Sequence, residues 1–225
     1  MCGRFSLGAS AATLAAQFDL VDLSAWSPRY NIAPTQEVLA VVRTLDAPKR
    51  SSRLLRWGLI PPWADDSRIG NRLINARAET VATKPAFRRA FKERRCLLLA
   101  DGLYEWQRQE RRKQPFYIRL RDGRPFAFAG LWEHWEGSEG MAIQSCTILT
   151  TTSNEVVGRI HDRMPVILSP TDYDRWLDPS IQEPAVLQTL LRPYPADEMT
   201  AYPVSTLVNS PANDNSGCTE PLPQG

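Results

Sequence analysis

The chain has 225 residues, 43% of them hydrophobic and 23% charged, and its 27 basic and 25 acidic side chains give a net charge of +2. These values are typical of a globular protein with a real core, and no apolar run is long enough to span a membrane. The near-balance of charge leaves nucleic-acid binding open, because a local basic patch can exist within it.

The first elements in chain order are a short amphipathic helix within residues 6–20, two strands and a second helix. The strands are predicted over 37–43 and 53–59, and the helix over 84–94, where Pro85 suits a first turn. A β-rich centre follows, with strands predicted over 96–100, 103–108, 115–120, 125–132 and 144–151. Helices over 171–177 and 184–191 and a strand over 199–205 end the ordered part.

This order of elements predicts an α+β fold with mainly antiparallel sheets rolled into a barrel-like core with flanking helices. A doubly wound parallel sheet is disfavoured because helices do not alternate with strands in the centre. We expect one domain over residues 2–210, followed by a polar, loose tail over 211–225.

The sequence contains four cysteines, at positions 2, 96, 146 and 218. They form no CxxC pair, and His134 and His161 stand far from them in sequence, so the pattern predicts no metal site. The residues after "MCGRFSL" are too polar for an export signal. We therefore expect reduced cysteines and a cytoplasmic protein.

Cys2 follows the initiator Met1 directly, and removal of Met1 would expose its α-amine. An α-amine has a pKa of roughly 7.7–8.0 and a cysteine thiol roughly 8.5, so both are reactive near neutral pH. Together they form a 1,2-aminothiol, which condenses with an aldehyde to a five-membered thiazolidine ring. The alternative is that Cys2 is a small apolar residue near the start of a strand.

Two further segments place polar side chains where chemistry is possible. Asn75, Arg77 and Glu79 alternate, so an extended segment puts all three on one face, where they could bind a phosphate or form an ion pair at a solvated edge. Glu105 lies in "GLYEWQ", where burial would raise its pKa and suit it to proton transfer. An outward-facing Glu105 is the alternative.

His161 precedes Arg163 by two residues and combines a titratable ring with a fixed cation. The seven tryptophans are many for this length. Trp106 lies close to the polar candidates, and aromatic rings mixed with arginines are typical of single-strand nucleic-acid binding.

Taken together, these segments resemble the SOS-response-associated peptidase (SRAP) family, whose members shield abasic sites in single-stranded DNA. The matching stretches are "MCGRFSL", "RYNIAPTQ", "RWGLIPPWADD", "INARAET", "RRCLLLADGLYEW", "AGLWE", "TILTT", "RIHDRMPVIL" and "VSTLVN". They occur in family order from residue 1 to about 209.

The resemblance implies a catalytic role for four residues. Cys2 would form the thiazolidine with the aldehyde of the ring-opened sugar, and Asn75 would orient the cross-link. Glu105 would manage protons during formation and reversal, and His161 would be the second acid or base. No metal or other cofactor is implied.

The resemblance also implies the partner, which is single-stranded DNA containing abasic sites and junctions of single- with double-stranded DNA. Arg4, Arg77 and Arg163 would contact phosphates, and Trp106 would stack beside the lesion. The protein would be a monomer and would not associate with a membrane. Two other classes stay open: an N-terminal-nucleophile cysteine peptidase or amidohydrolase, and a plain single-strand binder in which Cys2 is incidental.

Overall fold

The computed structural model describes residues 2–21, 23, 26–110, 112–137 and 140–223. The strands are β1 (Phe5–Leu7), β2 (Arg29–Ile32), β3 (Glu37–Val42), β4 (Ser51–Trp57), β5 (Asn75–Arg77), β6 (Arg95–Ala100), β7 (Gly102–Arg108), β8 (Lys113–Leu120), β9 (Phe126–Glu136), β10 (Ala142–Thr152), β11 (Arg163–Pro165), β12 (Ile167–Leu168) and β13 (Met199–Pro203). The helices are α1 (Ala11–Phe18), α2 (Arg88–Glu93), α3 (Glu155–Gly158), α4 (Tyr173–Leu177) and α5 (Pro184–Gln188).

The strands form two sheets. The smaller sheet has the order β13–β8–β7–β1–β2 and is antiparallel throughout. The larger sheet has the order β11–β10–β4–β3–β6–β9–β12, and β9 also pairs with β10, so β10, β4, β3, β6 and β9 close into a barrel. The predicted α+β fold with a mainly antiparallel, barrel-like core is confirmed. The exceptions are β4 and β5, which both run parallel to β10.

The aromatic core fixes the N-terminal strand against the barrel. The ring of Phe5 lies 5.1 Å from that of Trp57 and 5.6 Å from that of Phe128, both in edge-on contacts. All three rings are buried. Burial of rings this large contributes several kcal/mol, so β1 is held firmly although it has only three residues.

The first two helices are formed by local signals of different strength. Ser10 caps α1 by accepting a hydrogen bond from the backbone N–H of Thr13, and the helix ends at Asp19, whose φ is 56°. It buries Leu14 and Phe18, as the sequence pattern predicts. The helix predicted over 84–94 is shorter, because Phe87 leaves helical geometry with φ −125° and α2 begins only after it.

The C-terminal segment, predicted as a loose tail over 211–225, is packed over its described residues. The carboxylate of Asp214 accepts hydrogen bonds from the backbone N–H groups of Tyr30 and Asn31, and Cys218 is fully buried. Val204 pairs with Pro221 across an isolated bridge. The prediction is wrong because the polar side chains bind the edge of β2, which polarity alone does not reveal.

The four cysteines are free thiols. Within the described ranges, no helix combines the length and apolar character needed to cross a membrane.

Candidate functional site

Cys2 lies just before β1, where its backbone is held by a side chain from a distant strand. The Cys2 carbonyl oxygen accepts a hydrogen bond of 2.8 Å from Nδ2 of Asn75. Asn75 begins β5, which pairs with Ile148 and its neighbours on β10. The Oδ1 atom of Asn75 is buried and has no hydrogen-bond partner among the described residues. The thiol of Cys2 is also fully buried, and its Sγ lies 3.7 Å from the carbonyl oxygen of Arg4.

Glu105 lies on β7, the strand that pairs with β1, and its side chain faces the N-terminal region. Only 4% of the residue is exposed. Burial raises the pKa of Glu105, and the charge of the nearby His161 opposes that rise. Burial likewise raises the pKa of the Cys2 thiol, and the Glu105 carboxylate raises it further. Glu105 is therefore within electrostatic reach of both Cys2 and His161.

The ring of His161 has a defined hydrogen-bonding state at one nitrogen. The backbone N–H of Arg163 donates to Nδ1 over 3.0 Å. When the ring is neutral, Nδ1 is thus the acceptor and the proton lies on Nε2. The carboxylate of Asp162 also lies 3.0 Å from Nδ1 and can pair with the ring once it is protonated.

Arg163 is bound within the protein rather than presented to solvent. Its two terminal nitrogens donate to the two carboxylate oxygens of Glu79 over 2.6 and 3.0 Å, and one also donates to the Thr150 carbonyl over 2.7 Å. Only 13% of its side chain is exposed. The hydrogen bond with Arg163 lowers the pKa of Glu79. By contrast, Arg77, which was grouped with Glu79 by sequence spacing, is exposed.

Arg4 and Trp106 form the wall of the site next to Cys2. Nη1 of Arg4 donates to Oδ1 of Asn31 and to the Val208 carbonyl, both over 2.7 Å. The Arg4 guanidinium lies 5.7 Å from the centre of the Trp106 ring. Nε1 of Trp106 in turn donates to Oδ1 of Asn209 over 2.8 Å.

The structure brings Cys2, Asn75, Glu105 and His161 into one neighbourhood although they come from four separate parts of the chain. Around them, the four residues predicted to contact DNA differ in availability. Arg77 is exposed and Trp106 is half-buried, whereas Arg4 and Arg163 already make internal hydrogen bonds.

Sequence reasoning missed the residues that hold the wall of the site in place. Asn31 is fully buried and binds Arg4, and Asn209 fixes Trp106. Both lie in stretches that carry the family resemblance, "RYNIAPTQ" and "VSTLVN", and membership of those stretches was the available signal. His134 pairs with Glu136 and takes no part.

The chemistry of the site is that of a thiol, an amide, a carboxyl group and an imidazole. Among the residues that the structure describes, no group of three or more His, Cys, Asp or Glu side chains is arranged to hold a metal ion. The arrangement can transfer protons to and from a small electrophile beside Cys2.

Comparison with known proteins finds matches that extend over nearly the whole chain. The family model of the SOS response associated peptidase (SRAP) matches residues 1–211. The chain is 47% identical over 220 residues to abasic site processing protein YoaM of Bacillus subtilis, and the alignment covers 96% of each sequence. It is 33% identical over 226 residues to abasic site processing protein HMCES of Xenopus tropicalis, covering 88% of this chain and 67% of that one.

The fold is also found among solved structures. A crystal structure of a protein from Bacteroides thetaiotaomicron superimposes with a TM-score of 0.88 at 27% identity, covering 98% of this chain and all of that one. A second, from Bordetella bronchiseptica, gives a TM-score of 0.76 at 26% identity and covers 91% of this chain. With a family match over nearly its full length and relatives of this similarity, the chain belongs to the SOS response associated peptidase family.

Proposed function

We propose that this protein forms a covalent cross-link between Cys2 and the aldehyde of an abasic site in single-stranded DNA, and so shields the lesion. The curated relatives described above carry the name of abasic site processing proteins. The observation that carries the proposal is the hydrogen bond from Asn75 to the Cys2 carbonyl, which fixes the backbone of Cys2 within electrostatic reach of Glu105.

The reaction requires that Met1 be removed, by the protein itself or by an aminopeptidase. The free α-amine of Cys2 then attacks the C1′ aldehyde of the ring-opened sugar, and loss of water gives an imine. The Cys2 sulfur adds to the imine carbon, the thiol proton is transferred to the imine nitrogen, and a thiazolidine ring closes. No oxidant, metal or cofactor is consumed.

Buried acid–base groups suit these steps. A thiol whose pKa is raised by burial stays protonated at neutral pH, so a base must take its proton as sulfur attacks. Glu105 in its ionised form can accept that proton. In its protonated form, which the raised pKa favours, it can donate to the departing water or the sugar oxygen. His161, with its proton on Nε2, is a second donor for ring opening.

The DNA strand would approach over the exposed side of the site. Arg77 is the exposed cation there, and Trp106 offers a half-buried ring. Arg4 contributes positive charge from a position fixed by its bonds to Asn31 and the Val208 carbonyl. The charge of Arg163 is balanced by Glu79, so Arg163 would contact a phosphate only by exchanging that partner. An abasic nucleotide has no base to unstack, which lowers the cost of drawing it into the site.

The test is a denaturing gel of the purified protein incubated with single-stranded DNA that carries one abasic site. We expect a shifted covalent band, and intact mass should show the loss of Met1. Cys2→Ala should abolish the band while single-strand binding persists. Cys96→Ala is the matched control, because it removes another fully buried thiol, which lies on the barrel strand β6. An adduct that survives Cys2→Ala would refute the proposal.

A second candidate follows from the family description, which names a peptidase. An N-terminal-nucleophile cysteine peptidase or amidohydrolase would also use Cys2 but would form a transient thioester and turn over an amide. It would need no aldehyde. The cross-linking function predicts an adduct with the natural abasic site and none with a tetrahydrofuran analogue, which lacks the aldehyde. The peptidase or amidohydrolase predicts an adduct with neither DNA.

A further inference from the structure

A cleft of about 400 Å³ lies beside the site, between α3 and strands β7, β8 and β13. Phe116, Ile160 and Ala201 are half-buried residues that line it, and the exposed Arg121 and Arg159 stand at its rim. The cleft thus combines an apolar floor with two cations. Its volume is in the range of pockets that hold a small organic ligand.

Residues that line the cleft neighbour residues of the site on two sides. Phe116 on β8 lies directly opposite Glu105 on β7, so the two side chains share a face of the smaller sheet. Gln107, which lines the cleft, is two residues beyond Glu105 on the same face, or roughly 6.8 Å along the strand. On the other wall, Ile160 immediately precedes His161.

The charge of the cleft favours an anionic occupant. No carboxylate is among its described lining residues. Nε of Arg121 donates to the Asp197 carbonyl over 2.7 Å, which fixes its position without neutralising it. In the part of the chain that the structure describes, neither Arg121 nor Arg159 forms an ion pair. A half-buried aromatic ring that shares a cleft with two arginines outside any ion pair matches a nucleobase and its flanking phosphates.

We propose that this cleft binds the nucleotide next to the abasic nucleotide, with its base against Phe116 and its phosphates near Arg121 and Arg159. The proposal rests on the proposed function, since it takes the abasic nucleotide to lie beside Cys2 and Glu105. Gln107 binds the Arg159 carbonyl through Nε2 over 2.9 Å, so that amide N–H is used within the protein. We expect the base to be held mainly by stacking on Phe116, which carries little sequence information.

The test measures reversible binding to single-stranded DNA that contains one tetrahydrofuran analogue, because the analogue cannot cross-link. Phe116→Leu keeps an apolar side chain but removes the aromatic face, and it should weaken binding about 5-fold or more. Arg121→Gln and Arg159→Gln should each lower the slope of log affinity against log salt by about 1. Arg175→Gln, which removes an exposed charge from α4, is the matched control and should change neither quantity.

A second DNA substitution tests the stacking contact directly. Replacing the nucleotide on one side of the analogue by a second tetrahydrofuran removes its base. On the side that enters the cleft, removal of the base should weaken DNA binding by the wild type about as much as Phe116→Leu does. The same base removal should not weaken DNA binding by the Phe116→Leu variant any further. Both sides are tested, and thermal unfolding of each variant checks that it is folded.

The results separate the cleft from the cross-link. If the wild type forms the adduct but Phe116→Leu binds unchanged, or if base removal on either side weakens both proteins equally, the cleft proposal is wrong and the proposed function stands. If the wild type forms no adduct with abasic DNA but the cleft variants still lose affinity, the proposed function is wrong and the cleft is a plain single-strand site. Absence of any binding to the analogue DNA would overturn the cleft proposal.

Discussion

Asn31→Ala is expected to destabilise the whole protein through one buried side chain. Asn31 is fully buried, and its Nδ2 donates to the carbonyl oxygens of Asn213, Ser210 and Val208 at 2.7, 3.0 and 3.2 Å. Its Oδ1 accepts from Arg4 at 2.7 Å. One amide thereby ties β2 to the C-terminal segment and to the wall of the site.

The magnitude follows from the number of bonds lost. The two N–H groups are shared by three carbonyls and the oxygen serves Arg4, so the amide makes the equivalent of three full hydrogen bonds. At about 1 kcal/mol net for each, with a further cost for the buried carbonyls left unpaired, we expect a loss of about 3–4 kcal/mol. Set against a usual stability of about 5–15 kcal/mol, this is a large effect.

The assay is equilibrium unfolding in urea at neutral pH, followed by far-UV circular dichroism. Asn213→Ala is the matched control, because its half-buried side chain makes a single hydrogen bond to the Leu207 carbonyl and should cost about 1 kcal/mol or less. A loss for Asn31→Ala that is no larger than that of the control would refute the view that Asn31 holds the C-terminal segment.

Two other predictions concern pH and have opposite signs. Burial raises the pKa of Glu105, so the free energy of unfolding of the wild type should fall as pH rises from about 4.5 through that raised pKa. Glu105→Gln should remove this fall. A difference in the free energy of unfolding between the two proteins that stays constant from about pH 4 to 8.5 would contradict the prediction. Arg163 lowers the pKa of Glu79, so their ion pair stabilises the protein above about pH 4.5 and the gain is lost as pH falls through the lowered pKa. Since Glu79 is half exposed, Glu79→Gln should cost about 1 kcal/mol or less at neutral pH and nothing near pH 2; a cost that persists in acid would mean that the pair does not depend on charge.

The strands of the fold were predictable because their apolar runs are long relative to their turns. The run predicted over 96–100 is the fully buried β6, and those over 103–108 and 115–120 form the antiparallel pair β7 and β8. The strands β1 and β2 were not predicted. They have three and four residues, too few for alternation to be visible, and they are held by tertiary contacts such as those of Phe5.

The types of residue in the site were predictable, but their partners were not. Spacing grouped Arg77 with Glu79, yet the strand β5 ends at Arg77 and Glu79 turns toward Arg163, which is 84 positions away in sequence. The contact of Asn75 with the Cys2 carbonyl spans 73 positions. Sequence periodicity carries no information about contacts this far apart in the chain, because the register of β5 and β11 on β10 sets these contacts.

The strand β10 has a consequence for how the protein is made. It is bordered by β5 and β11, the strands that carry Asn75 and Arg163, and the backbone of Cys2 is held in place by Asn75. The carbonyls that secure Asn31 come later still, at residues 208–213. A chain growing on the ribosome therefore carries Cys2 throughout synthesis, but the strand that aligns Asn75 with it ends only at Thr152, and the contacts of Asn31 require residues up to Asn213.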